Sequence, residues 1–201
     1  MIDPPMSHTL HVSPALALLE FESIATGYLA ADAMAKRAPI AHIVVGSVQP
    51  GRLLVLISGG VAEVEEAAAA GRSAAAGSLV DEVLLTAIHP GVVDGLLGAL
   101  QPVTDALGIV ESRSAASAIH AADAGLKGAD VALVELRLSD GLAGKGICFF
   151  TGPVSAVEIA VEIACAVVSP GQFIHAVVIP QPSPEIGATL QVSSQFIQNL
   201  R

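Results

Sequence analysis

Two aspartate–lysine pairs, Asp32 with Lys36 and Asp123 with Lys127, stand ninety-one residues apart in the matching stretches DAMAKRAP and DAGLKGAD. In each the acid precedes the base by four residues, the order in which an ion pair supports a helix, by about 0.2–0.5 kcal/mol. A solvated surface pair would account for one copy. Its repetition asks for a second cause.

The other reactive residue types form no catalytic pattern. His8, His11, His42, His89, His120 and His175 show no HExxH or other ligand spacing, so no metal site is expected. GLAGKG, Gly141 to Gly146, has the glycines and lysine of a phosphate cradle. It joins two expected strands rather than a strand and a helix, and glycine follows its lysine where serine or threonine would hold a metal ion. Glu65 with Glu66, and Glu158 with Glu162, fall on amphipathic helices and read as solvated faces rather than an acid and a base. Cys148 and Cys165 lie in apolar stretches without CxxC spacing and read as buried, reduced core residues. No Ser-His-Asp or Cys-His set stands out, and the expectation is a non-enzyme with no cofactor.

Composition narrows the partners. Over 201 residues the formal charge is −10, which opposes binding to a phosphate backbone and excludes DNA and RNA. With 53% apolar but only 3% aromatic residues, the core must be built from tightly packed alanine, valine, leucine and isoleucine. No membrane span is expected, since Glu158 and Glu162 interrupt the best apolar window. The start, MIDPPMSHTLHVSP, has neither the basic end nor the apolar run of a signal peptide, and is expected to form a loose or strapping arm over residues 1–14 of a cytoplasmic protein.

The elements that must position the pairs follow from a duplication. ALALLEFESIATGYLAADAMAKRAPIAHIVV from Ala15 aligns with ALGIVESRSAASAIHAADAGLKGADVALVEL from Ala106 at an offset of 91. The offset becomes 93 where SGGVAEVEEAA from Ser58 meets TGPVSAVEIAV from Thr151, placing two extra residues in a loop of the second copy. A third block pairs Val83–Pro90 with His175–Pro182. Repeats this long indicate two domains, 15–101 and 105–201, around a hinge at Gln101 to Thr104. Each unit reads as strand, helix, strand, strand, helix, strand. In the first, Ala15 to Phe21 is a strand, Ser23 caps a helix that Pro39 stops, and QPG turns a hairpin between Ile40–Val48 and Arg52–Ser58. A helix over Val61–Ala76 and a strand over Leu79–Ala87 complete it. The second repeats this with the longer loop SDGLAGK between Val131–Leu138 and Lys145–Thr151, then a helix over Val154–Val168 and a strand over Gln172–Ile179. The fold class is thus an α/β (α+β) sandwich on two mainly antiparallel sheets flanked by helices.

The doubled pattern ALALLE…AADAMAKRA…VQPGRLLVLISGGVAEVEEAAAAG and ALGIVES…AADAGLKGADVALVE…TGPVSAVEIA…VVIPQP resembles the shell-protein (BMC) domain of bacterial microcompartments, twice over. The resemblance implies a tandem-domain shell protein whose homotrimer forms a six-lobed tile, packs edge to edge with other shell proteins around an enzyme set, and passes small polar metabolites through a central pore. It implies tile-edge lysines at Lys36 and Lys127. It implies pore loops at Ser47, Val48, Gln49, Pro50 and Gly51, and at Leu138, Ser139, Asp140, Gly141, Leu142, Ala143 and Gly144. A six-sided tile needs its edge lysine on every side, so a two-domain chain encodes it twice.

Some residues depart from the family pattern. Gln181 stands where an edge arginine is common and Ser183 where histidine is usual, while the first copy keeps His89. Some tandem relatives hold an iron–sulfur cluster through a cysteine in the first pore loop. Gln49 occupies that place, so no cluster is expected. The alternative reading is a tandem ACT-like module that binds a small molecule between its domains; it shares the sandwich but would not form sheets of tiles.

Overall fold

The computed structural model describes residues 14–192 and 194–195. Apart from Pro14, the expected N-terminal arm lies outside the described residues, as does the end of the second domain from 196.

The first unit runs β1 (Ala15–Phe21), α1 (Ile24–Arg37), β2 (His42–Val48), β3 (Arg52–Gly59), α2 (Val61–Ala74), β4 (Leu79–Leu85) and α3 (Pro90–Leu96). The second runs β5 (Ala106–Ser112), α4 (Ala115–Gly128), β6 (Ala132–Leu138), β7 (Gly146–Gly152), α5 (Val154–Val167), β8 (Phe173–Ile179) and α6 (Pro184–Val192). Each unit holds a four-stranded antiparallel sheet, in the orders β2-β3-β1-β4 and β6-β7-β5-β8. Caps fall where expected: the Ser23 side chain accepts from Thr26 N–H and Ser114 from Ser117 N–H.

The short helices α3 and α6 were not expected. Each begins with a proline at a position where a missing N–H costs nothing, preceded by a polar residue, in the pairs His89-Pro90 and Ser183-Pro184. They also correct the third repeat block. Leu85 faces Leu16 on β1, and Ile179 faces the matching Leu107 on β5, so β4 and β8 align at an offset of 94 rather than 92. His89 therefore corresponds to Ser183. The first-unit strand ends at Leu85 rather than Ala87, and α2 ends at Ala74 before a single 3₁₀ turn at Ala76–Ser78.

Alternation along β1 divides the core. Ala15, Ala17, Leu19 and Phe21 pack under α1 and α2 with Met34, Val64 and Ala67. Leu16 and Leu18 turn to the opposite face, where they join Val83, Leu85 and Val92 in one cluster with Ala115, Ile119 and Leu126 of the second unit. The two units thus share a core. Small residues permit the expected close packing: a Cβ on Gly71 of α2 would fall 2.6 Å from the Met34 side chain, and one on Gly125 of α4 would meet the Phe150 ring at 2.6 Å. Cys148 is buried, and burial pushes its thiol well above the usual range, but Cys165 is a correction: it sits half-buried at the core margin on α5.

Candidate assembly surfaces and pore loops

The two Asp–Lys pairs form as their spacing predicts, yet in different surroundings. Lys36 Nζ lies 2.6 Å from Asp32 Oδ2 with both side chains exposed, 74% and 57%. Lys127 Nζ lies 2.5 Å from Asp123 Oδ2, but Asp123 is 5% exposed and its other oxygen accepts the His89 backbone N–H at 2.8 Å. The second pair is tied to the start of α3, which belongs to the first unit. It stands where the two units meet.

That junction is the main asymmetry of the molecule. The helices α1 and α4 correspond residue for residue, but α1 buries four residues and α4 ten. The additional buried set on α4 includes Ala115, Ser117, Ile119, Asp123 and Leu126, which face the first unit. At equivalent places on α1 stand Ile24, Thr26, Tyr28, Asp32 and Ala35, none of them buried. Tyr28 is 56% exposed where Ile119 is fully buried. The opposing surface is uneven in the reverse sense. Val83 and Val92 of the first unit are buried at the junction, while their counterparts Val177 and Ile186 are 40% and 49% exposed. Each unit therefore has one socket and one plug. The chain fills one of each internally and leaves the other of each open.

Polar residues missed by sequence reasoning lock the internal junction. Glu20 on β1 accepts Arg52 Nη1 at 2.7 Å and the Ala115 N–H at 2.9 Å, placing a carboxylate at the positive end of α4. Burial raises the pKa of Glu20, with the Arg52 and Ala115 hydrogen bonds pulling the other way and the nearby charge of Asp81 adding to the rise. Asp81, paired with Glu20 across β1 and β4, accepts the Ser114 hydroxyl and, at 2.6 Å, the Ser117 hydroxyl. A signal was available in AASAIHAADAGLKG, which is small and apolar almost all round, as a helix covered on two sides must be.

The expected pore loops lie side by side. Ser47 and Val48 belong to β2, and Gln49, Pro50 and Gly51 make a three-residue turn closed by Gly51 N–H to Val48 O at 2.8 Å. Leu138 ends β6; from there Ser139 N–H bonds Lys145 O at 2.8 Å and encloses five residues in place of three, the expected two-residue insertion. Backbone φ is positive at Ser139, Gly141, Ala143 and Gly144, so this loop coils tightly. A Cβ on Gly144 would lie 3.1 Å from Pro50 Cδ and 3.6 Å from Gln49 O, which shows how closely the loops of the two units approach. Gln49, Pro50, Gly51, Asp140, Gly141 and Ala143 are exposed, whereas Ser139 and Gly144 are buried. Behind the loops, Arg52 bonds Glu20 and Glu22, and Lys145 bonds Glu111 at 2.7 Å.

Among the described residues, no three His, Cys, Asp or Glu side chains gather closely enough to share a metal ion, and no helix is long and apolar enough to cross a membrane. Glu65, Glu66, Glu158 and Glu162 are exposed.

Known proteins with this arrangement are consistent in kind. The BMC domain family matches residues 15–88 and again 106–182. The chain is 38% identical to the bacterial microcompartment shell protein PduT of Citrobacter freundii, over 85% of this chain and 94% of that protein. It is 33% identical to the carboxysome assembly protein CcmO of Synechocystis, over 49% of this chain and 33% of that one. Among solved structures, a microcompartment protein from Desulfitobacterium hafniense superposes with a TM-score of 0.72 at 40% identity, covering 86% of this chain and 97% of that chain. A fused permuted hexameric shell protein of the RMM microcompartment shares the fold at a TM-score of 0.55 and 18% identity, covering 77% and 84%.

Proposed function

The chain belongs to the BMC domain family, as a shell protein of tandem-domain build, and from that premise we propose that three copies close head to tail into a six-lobed tile of a microcompartment shell. The observation that carries this is the open socket and plug. A surface that is buried inside the chain on one unit and bare on the other is satisfied when the plug of each copy enters the socket of the next. Such a heterologous contact either closes into a ring or runs on as a filament. Two equivalent units per chain and six places round a ring make the number three. Burying what remains exposed of residues such as Tyr28, Val177 and Ile186 would each stabilise the contact by about 1 kcal/mol, half the value for a fully exposed side chain.

In that ring Lys36 and Lys127 alternate at the rim, where edges of neighbouring tiles meet. The Gln49–Gly51 turns and the 138–144 loops alternate round the axis. Gln49, the exposed backbone of the glycines and Asp140 then line an opening suited to small polar solutes, with Ser139 and Gly144 holding the loop from behind. The tile would lie in the shell of a cytoplasmic microcompartment, next to other shell proteins. Between the units Val83, Ile119 and Leu126 join one packed core. A cleft remains beside α3, lined by His89, Asp94, Gln101 and Leu133 among others, and the duplicated BMC domain rather than an ACT-like module accounts for the repeat.

Light scattering is expected to report the mass of three chains at micromolar concentration. Electron microscopy of concentrated protein is expected to find flat hexagonal arrays. A stable monomer or dimer overturns the ring, and a trimer that never forms arrays overturns the tile.

A further inference from the structure

The seam inside the chain and the seam that would join copies differ in charge at a position that is buried in the first, Asp81, and exposed on the single chain in the second, His175. Inside the chain, the pair facing the first turn of α4 is Glu20 with Asp81. The corresponding pair on the second unit is Glu111 with His175, held opposite each other on β5 and β8. Ser114 and Ser117, whose hydroxyls Asp81 accepts, correspond to Ser23 and Thr26 on α1, and Ser23 caps its helix just as Ser114 does.

We propose, on the head-to-tail ring as premise, that neutral His175 of one copy accepts a hydroxyl hydrogen bond from Thr26 or Ser23 at the start of the next copy's α1, so that acid loosens the seam between copies through this residue. The physical reason lies in the surroundings. A carboxylate such as Asp81 is favoured at a helix N-terminus, whereas an imidazolium there meets the positive end of the helix and has no lone pair left to accept with. Burial adds to the penalty on the charged form.

The charged groups facing this place largely cancel one another. Glu111 of β5 is already held by Lys145, at the entry to β7, at 2.7 Å. On the facing copy, Glu22 before α1 is held by Arg52 at 3.0 Å. Arg113, which follows β5, is exposed, and Gln172, which precedes β8, is neutral. No unpaired carboxylate among these is positioned to compensate a protonated His175. Since the open form then binds the proton more readily than the closed one, the seam is at full strength while the imidazole is neutral and weakens as acid charges it.

The test is subunit exchange between donor- and acceptor-labelled trimers at pH 7.5 and 5.5. Wild-type exchange is expected to be up to about a hundredfold faster at pH 5.5, since a chain leaving a ring of three opens two seams and one proton on each sets about tenfold. His175→Gln, which keeps an acceptor but cannot charge, is expected to exchange at a rate indifferent to pH over this range. His175→Asp, which copies Asp81, is expected to exchange more slowly than wild type at pH 5.5. Combining His175→Gln with Thr26→Val should give less than the sum of the single effects if the two side chains touch. A pH response that survives His175→Gln, or a wild-type trimer with no response, overturns the proposal while leaving the ring intact. Failure to find three chains at pH 7.5 overturns the ring itself.

Discussion

The first unit hides the strand and short helix that the second exposes, and the second hides the helix face that the first exposes. On β4 three residues are buried and on β8 none, although the two strands hold equivalent places in their sheets. On α4 ten residues are buried against four on α1. Two copies of one fold thus present opposite halves of a single contact. Exposure of Tyr28, Val177 and Ile186 is therefore no accident of a polar surface scattered with apolar side chains. On the proposed head-to-tail ring it follows from one contact repeated between copies.

The sharpest way to break this comparison is to place the same charge at both versions of one position. Ile119→Asp buries an unpaired carboxylate inside the chain and is expected to cost about 3–5 kcal/mol, enough to unfold much of the population. Tyr28→Asp alters a side chain that the single chain leaves exposed. It is expected to leave circular dichroism and the melting of the monomer nearly unchanged while abolishing the three-chain particle in light scattering. Equal effects at the two positions would mean that the α1 face is not a contact.

The Asp–Lys pairs should differ by less but in the same sense. Lys127→Ala strips a partner from Asp123, which is 5% exposed, and is expected to cost about 1–3 kcal/mol in denaturant unfolding. Lys36→Ala removes an exposed pair and is expected to cost at most about 0.5 kcal/mol. Replacing both lysines with aspartate should prevent arrays under the electron microscope while light scattering at low temperature, where the destabilised α4 stays folded, still reports the trimer.

The smallest effect concerns acid. Because burial raises the pKa of Glu20, the folded chain takes up this proton before the unfolded one does, so its contribution is greatest at low pH and falls away as pH rises through the raised value. Glu20→Gln is expected to remove that part of the pH slope of thermal stability between pH 4 and 7. The internal seam then responds to acid in the opposite direction from the seam proposed at His175.

Much of the fold was legible along the chain because its cues are local. Ser23 and Ser114 stand where a helix must be capped, QPG and SDGLAGK where strands must turn, and a spacing of four where an acid can reach a base. The helices α3 and α6 escaped notice because seven and nine residues carry too little periodicity, leaving only a proline at the start as a sign. The third block slipped by two residues because β4 and β8 are short apolar runs whose register is set by the neighbouring strand, not by their own pattern.

The sequence by itself determined that the chain is a duplication, where its helices and strands lie, and which pairs and loops occur twice. Only the tertiary structure decided that the copies are inequivalent: that the Asp123 carboxylate is enclosed and the Asp32–Lys36 pair exposed to solvent, that Glu20 and Asp81 grip the start of α4, and that Gln49 and Gly144 lie side by side. Helix caps and turns are settled by residues a few places apart, so a linear reading finds them. Burial at a junction depends on which face of one unit meets which face of the other, and that is a relation between residues up to ninety-five positions apart.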